Sequence, residues 1–290
     1  MRVMVFGSGG LLGSSLVPHL RLCGHEVLSN ARNGEDDVRV DLANTSQVNT
    51  VLDKMMPAII VNLAALTNVD ECERNPQHAY LANVRIVENL SKWIQSNGDT
   101  CHLVQISTDQ VYDGPGPHTE DDITLSNYYG FSKYAGELAA AAVSSTILRT
   151  NFFGPSQCPA RMSLSDWLVQ SLNRSDPITV FDNVHFSPLS LQRLVQLLEL
   201  LIVRRQQGVF NLGSREGMSK ADFAFTLAGV LGLPTKNVSR GISEKINLTA
   251  YRPKDMCMDS SRFEEVFGIQ LPTLQEEIKS MKAAYADKAR

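Results

Sequence analysis

The stretch Val3-Met4-Val5-Phe6-Gly7-Ser8-Gly9-Gly10-Leu11-Leu12-Gly13 decides how this chain is read. A short apolar run of this kind builds a strand buried on both faces, and here glycines interrupt it at once. Apolar residues then recur at helical spacing from Leu11 to Leu22. A strand that turns through Gly7, Gly10 and Gly13 into a helix has the context of a dinucleotide-binding loop. Lacking Cβ atoms, these glycines permit a tight turn and let a pyrophosphate approach the amides of the helix N-terminus, where the dipole favours an anion. Gly9, Leu11 and Leu12 share the loop and join the cofactor-binding candidates. A glycine cluster by itself also fits an ordinary turn, so the position between strand and helix carries the reading.

Outward from this loop, short apolar runs at Glu26 to Ser29, Ile59 to Leu63, Leu103 to Ile106 and Thr146 to Leu148 read as further buried strands. Leu11 to Leu22, Thr45 to Met55, Pro76 to Ser96 and Tyr128 to Val143 have helical length and periodicity between them, with Pro76 suited to a first helical turn. Strands alternating with helices predict an α/β fold: a doubly wound parallel (Rossmann) sheet covered on both faces. Beyond Gly154 the alternation loosens into segments such as Ser163 to Ser171, Ile178 to Phe181, Leu189 to Arg204 and Lys220 to Leu231. The expected division is a cofactor-binding domain over residues 1–155 and mainly a smaller C-terminal substrate-binding lobe over 156–290. Residues 189–215, a helix followed by a strand, are expected to return to the first domain.

Composition narrows the function classes. The formal net charge of −4 gives no global basic field, which argues against nucleic acid as a partner. The five cysteines are odd in number, scattered and without a C-x-x-C pair, so reduced thiols are expected rather than a disulfide framework or zinc site. The six histidines form no H-E-x-x-H pair, and no local metal motif is expected. No signal-like leader precedes the first strand, and the greasy run Leu197 to Val203 falls far short of the roughly 20 residues a bilayer requires. A cytoplasmic protein without a membrane partner is the expectation.

At the end of the second strand, Ser29-Asn30-Ala31-Arg32 offers no carboxylate for a ribose 2′-hydroxyl, whereas Arg32 suits a 2′-phosphate. The residues therefore favour NADPH over NADH, against the competing reading of Arg32 as an ordinary exposed arginine. Tyr129 and Lys133 stand four apart, so a helix places them one turn apart on one face. Free tyrosine titrates near 10, and a neighbouring ammonium stabilises the phenolate, which eases proton donation to a reduced carbonyl. Upstream, Ser107-Thr108-Asp109 closes a buried strand at the edge where such sheets bind ligands.

Together, Gly7 to Gly13, Asn62 to Asp70, Ser107 to Gly114, Tyr129 to Lys133, Leu148-Arg149-Thr150 and Arg252-Pro253-Lys254 resemble the extended short-chain dehydrogenase/reductase superfamily. Within it the chain is most similar to the dTDP-4-dehydrorhamnose reductase family, over most of its length. The resemblance implies reduction of a keto group on a nucleotide-activated sugar, a dTDP-4-keto-6-deoxyhexose, by NADPH or NADH, and it implies a homodimer. It implies that Thr108 hydrogen-bonds the substrate carbonyl, that Tyr129 donates the proton, and that Lys133 tunes Tyr129 and holds the nicotinamide ribose. Asp41 and Leu42 would lie near the adenine, Ala64 and Ala65 along the cofactor cleft, and Asn83 against the cofactor, unless Asp41 is a turn carboxylate and Asn83 a solvent-facing helix residue. Thr67, Val69, Asp109, Val111, Tyr112, Asn151, His185 and Arg252 would face the substrate.

Two departures open alternatives. Asn183 and His185 stand where the family usually has a Gln and a Gly, which puts the sugar's identity in doubt. Arg252 either grips a diphosphate bidentately or lies on the surface before a proline-fixed turn. A sugar-nucleotide epimerase that keeps its NAD uses the same fold and Tyr/Lys pair. A non-catalytic regulatory subunit, like that of methionine adenosyltransferase, also resembles the family. Asp109-Gln110 lacks the Asp-Glu that dehydratases of the superfamily usually show.

Overall fold

The computed structural model describes residues 1–31 and 37–288. The first strands and helices follow in the expected order: β1 (Arg2–Phe6), α1 (Gly13–Leu22), β2 (Glu26–Asn30), α2 (Thr45–Met55) and β3 (Ile59–Asn62). There follow α3 (Val69–Arg74), α4 (Pro76–Tyr80), α5 (Ile86–Ser96), β4 (His102–Ile106), α6 (Tyr128–Ala140) and β5 (Ser145–Thr150). The sheet has six strands in the order Gly208–Leu212, β5, β4, β3, β1, β2. Its β1/β2, β1/β3, β3/β4 and β4/β5 pairs are parallel, which is the doubly wound α/β arrangement that the alternation predicts. All residues of β3, β4 and β5 are buried, as strands covered on both faces must be.

Register sets where the site can form. Phe6 lies opposite Asn62, Asn62 opposite Gln105, and Ile106 opposite Leu148. The chain therefore leaves β1, β3 and β4 side by side at one edge, through Gly7, Leu63 and Ser107. Buried Asn62 donates to Gln105 Oε1 at 2.8 Å, which ties two of these strand ends together.

The expected helix Pro76 to Ser96 is three pieces, because a π-helical segment, Leu81–Arg85, separates α4 from α5. The short helix α3 falls between the expected elements; Asn68 caps it by accepting from the Glu71 amide at 2.9 Å. The expected helix Leu189 to Arg204 starts two residues later, after a short strand Leu189–Ser190.

The chain divides into two compact units. The first comprises Met1–Thr108, Asn127–Leu148 and Val195–Val209; the second comprises Asp109–Ser126, Arg149–Leu194 and Phe210–Arg290. The first is held by an apolar cluster that includes Met4, Phe6, Leu52, Ile60, Leu90, Trp93, Leu103 and Ile147. In the second, the Phe223 ring takes Phe153 and Phe186 at 4.8 and 5.3 Å between centroids, both edge-on, a favourable aromatic geometry. Among the described residues no helix is long and apolar enough to cross a membrane. No group of three or more His, Cys, Asp or Glu residues among them could hold a metal ion.

Candidate active site

The glycine loop is built by contact as much as by turning. Gly7 has φ +84°, and a Cβ there would lie 2.7 Å from the Ala64 nitrogen. A Cβ on Gly13 would lie 2.5 Å from the Gly7 oxygen and 2.6 Å from Ser8 Cα, so the helix start packs directly on the loop. Gly10 differs: only the Gly7 oxygen, at 3.3 Å, comes within 4 Å of its added Cβ, which leaves backbone open to a ligand. No side chain caps α1, and among the described residues the Leu11 and Leu12 amides meet no backbone acceptor. A cradle of this kind, with uncapped amides at a helix N-terminus, fits a cofactor pyrophosphate.

Around the loop, Ala64 and Ala65 are half-buried. Asp41 is exposed, with Oδ1 accepting from the Ala43 amide at 3.0 Å, so it is a turn carboxylate as well as an adenine-side candidate. Leu42 packs its side chain into the core of the first unit and leaves only its backbone for contact. Arg32 lies outside the described residues.

The candidate groups Thr108, Tyr129 and Lys133 all lie in the first unit. Asn127 starts α6 by accepting from the Gly130 amide at 2.8 Å, which fixes Tyr129 in the first turn. Tyr129 is buried among Leu66, Val69, Cys72 and Ala79. One turn on, Lys133 is buried and donates through Nζ to the Ile106 oxygen at 2.6 Å, at the strand end that leads to Thr108. Burial holds the Lys133 ammonium down at about 8, against the opposing charges of Glu137 and Cys72. Burial pushes the Cys72 thiol up to about 11, helped by Glu71 and Glu73 and opposed by Lys133. Ser107 donates to Glu137 Oε1 in a short buried hydrogen bond.

Asn83 does not face solvent. It lies in the π-helical segment, 1% exposed; its Oδ1 accepts from the Leu66 amide at 2.8 Å, and Nδ2 donates to the Leu66 oxygen at 3.0 Å and Ser132 Oγ at 2.8 Å. These bonds tie the loop after β3 to α6. Thr67 is exposed on that loop, and Val69, the first residue of α3, is half-buried.

The remaining substrate-side candidates lie in the second unit. Asp109 is buried and accepts from Asn151 Nδ2 at 2.6 Å. Val111 and Tyr112 correct the sequence reading, because both are fully buried. The Tyr112 hydroxyl donates to Asn211 Oδ1 at 2.7 Å and accepts from Arg149 Nη1 at 2.8 Å, so this phenol organises the unit's interior. His185 is exposed on a two-residue strand and lies near the carboxylates of Asp222 and Asp255. Arg252 is half-buried, with Nη1 donating to the Ala250 oxygen at 2.8 Å.

Sequence reasoning missed Glu137 and Lys220. Glu137 carried a readable signal, since it stands four residues beyond Lys133 and shares its face of the helix. Lys220 carried none: it starts a helix, against the dipole, and only the fold brings it near Asp109 and Arg252. Its Nζ stands 4.8 Å over the Phe186 ring, and among the described residues it donates no hydrogen bond. Burial lowers the Lys220 ammonium's pKa, with Asp109 opposing and Arg252 adding to the shift.

The profile of the family described as "RmlD substrate binding domain" matches residues 1–286. The chain belongs to that family. A family relative, the dTDP-4-dehydrorhamnose reductase of Aggregatibacter actinomycetemcomitans, is 30% identical, with 99% of each chain covered. The probable low-salt glycan biosynthesis reductase Agl14 of Haloferax volcanii is 29% identical at the same coverage. Among solved structures, the Bacillus anthracis dTDP-4-dehydrorhamnose reductase in complex with NADP superposes with a TM-score of 0.87 at 26% identity, covering 99% of both chains.

Proposed function

We propose that this protein is an NAD(P)-dependent oxidoreductase that reduces a keto group on a nucleotide-activated sugar, a dTDP-linked 4-keto-6-deoxyhexose. The observation that carries the reading is the first unit's arrangement: Tyr129 and Lys133 buried one turn apart on α6, beside the strand end that delivers Thr108, with an uncapped glycine cradle at α1. The Bacillus anthracis relative's NADP complex supports NADPH as the cofactor, with NADH as the alternative.

When bound, the reduced nicotinamide supplies the hydride for the keto carbon. Gly7, Gly9, Gly10, Leu11, Leu12 and Gly13 hold the pyrophosphate, Arg32 the 2′-phosphate, Asp41 and Leu42 the adenine side, and Ala64 and Ala65 the wall of the cleft. Thr108 donates a hydrogen bond to the substrate carbonyl. Tyr129 gives its hydroxyl proton to the oxygen that becomes the alcohol, and solvent later returns a proton to the phenolate. Lys133 supplies the positive charge that makes the phenolate accessible near neutral pH. With a pKa of about 8, most of the Lys133 side chain still carries its proton at pH 7. Asn83 holds the loop after β3 and stands with the cofactor-side residues. Thr67, Val69, Asp109, Asn151, His185 and Arg252 contribute the sugar-nucleotide side. The protein works as a cytoplasmic homodimer whose partner is the nucleotide sugar and not nucleic acid; sedimentation of the purified chain tests the dimer.

The experiment is to mix the protein with NADPH, then NADH, and a panel of nucleotide-linked 4-keto sugars, following loss of reduced-nicotinamide absorbance and product mass. Stoichiometric cofactor oxidation with a product two hydrogens heavier is expected. Isomerised product without net oxidation means an epimerase, and cofactor binding with no turnover means a regulatory subunit; either result sinks the reductase.

A further inference from the structure

Two hydrogen bonds join the end of β4 to α6, and both come from groups one residue apart on the strand. Lys133 Nζ donates to the Ile106 oxygen at 2.6 Å, and Ser107 Oγ donates to Glu137. Thr108 follows directly, and Tyr129 stands one turn before Lys133 on the same helix. Glu137 is 2% exposed, an expensive place for a carboxyl group. Here its hydrogen-bond partner is Ser107, and Lys133 stands one helical turn before it on the same buried face of α6.

We propose that Glu137 is a positioning residue: it pins the strand end carrying Thr108 to the helix carrying Tyr129, and it is the counter-charge that keeps Lys133 an ammonium. This rests on the reductase reading only for its kinetic consequences. Burial works against the Lys133 charge, and the groups that oppose burial are Glu137 from its own helix and Cys72 from α3. The Cys72 thiol, pushed up to about 11, is uncharged at neutral pH, which leaves Glu137 as the counter-charge in the working range. The strand contributes a carbonyl and a hydroxyl, neither of which titrates there. The two roles separate by substitution: Glu137→Gln keeps the shape and the acceptor for Ser107 but removes the charge, whereas Ser107→Ala keeps the charge and removes the tie.

The test is a pH titration of the lysine Cε resonances of the full chain labelled with 13C-lysine, the Lys133 signal being assigned with Lys133→Arg. In Glu137→Gln, Lys133 is expected to titrate lower than in the wild type by about one unit or more. Glu137→Asp, which holds the charge a methylene further off, gives a smaller shift in the same direction and covers a Gln variant that fails to fold. In Ser107→Ala the Lys133 titration stays within a few tenths of a unit, while kcat falls on the order of tenfold through misplacement of Thr108. The alkaline limb of kcat in Glu137→Gln follows the Lys133 resonance downward. An unmoved Lys133 titration in both Glu137 variants overturns the counter-charge, and an unchanged kcat in Ser107→Ala overturns the pinning. A protein whose Lys133 titration moves as expected but which turns over no keto sugar leaves the counter-charge standing and removes the reductase.

Discussion

Lys133 gives the structure's clearest thermodynamic consequence. Burial holds its ammonium down at about 8 in the folded chain, about 2.5 below the ordinary value of 10.5. The folded state therefore releases this proton at lower pH than the unfolded state does. Between those two values the unfolded chain binds more protons, so stability must rise with pH through that window. The contribution is fully present above 10.5 and is lost as pH falls through about 8. At about 1.4 kcal/mol per pKa unit, the full swing is about 3.5 kcal/mol. Lys133→Met is similar in length and does not titrate. The perturbation is read as a difference: the unfolding free energy of wild type minus that of Lys133→Met grows by about 3 kcal/mol from pH 7 to about pH 11. Groups that do not interact with Lys133 cancel between the two proteins, and a Cys72→Ala background in both removes the thiol that does. Urea denaturation followed, in a Trp167→Phe background, through the fluorescence of Trp93, which is buried in the core of the first unit, reads the change where Lys133 lies. A difference that stays flat across the window would refute the claim that burial depresses Lys133, and with it the need for a counter-charge.

Four further outcomes are expected. Tyr129→Phe keeps cofactor binding by calorimetry but loses turnover on the order of 100- to 10,000-fold, as removal of a general acid does; a near-normal rate removes Tyr129 from that role. Gly13→Ala forces a Cβ against the Gly7 and Ser8 backbone, which cannot swing aside as a side chain can. It should cost about 1–3 kcal/mol of stability in denaturant titration and weaken NADPH binding, and wild-type values for both contradict the packing described. Asn83→Ala strands the Leu66 amide and carbonyl, for a loss of about 2–4 kcal/mol in urea; a loss under about 0.5 kcal/mol would mean that the loop does not depend on this clamp. Lys220→Gln should raise KM for the nucleotide sugar on the order of tenfold and leave KM for NADPH unchanged, while equal effects on both would place Lys220 outside the substrate side.

What could be read ahead of the structure followed the physics of each signal. Buried parallel strands announce themselves as apolar runs, and Thr45–Met55, Ile178–Phe181 and Lys220–Leu231 have the bounds that their periodicity gives. The π-helical step at Leu81–Arg85 left no trace, because one wider turn changes the rotation of the helix and not its composition. The helix Val69–Arg74 is shorter than two turns, too short for an apolar face to repeat, although Asn68 and Glu71 already spelled a capped start. The same division runs through the site. Tyr129 and Lys133, and the glycines of the first loop, are local patterns and were legible. Tyr112 misled, because an aromatic beside a strand end looks the same in sequence whether its hydroxyl meets a ligand or, as here, Asn211 and Arg149 from distant segments. Lys220 could not be placed beside Asp109 by any spacing rule, since that proximity belongs to the fold. Glu137 lies between the cases. Its i+4 relation to Lys133 was visible, but only burial turns such a pair from a surface contact of a few tenths of a kcal/mol into a determinant of the lysine's charge.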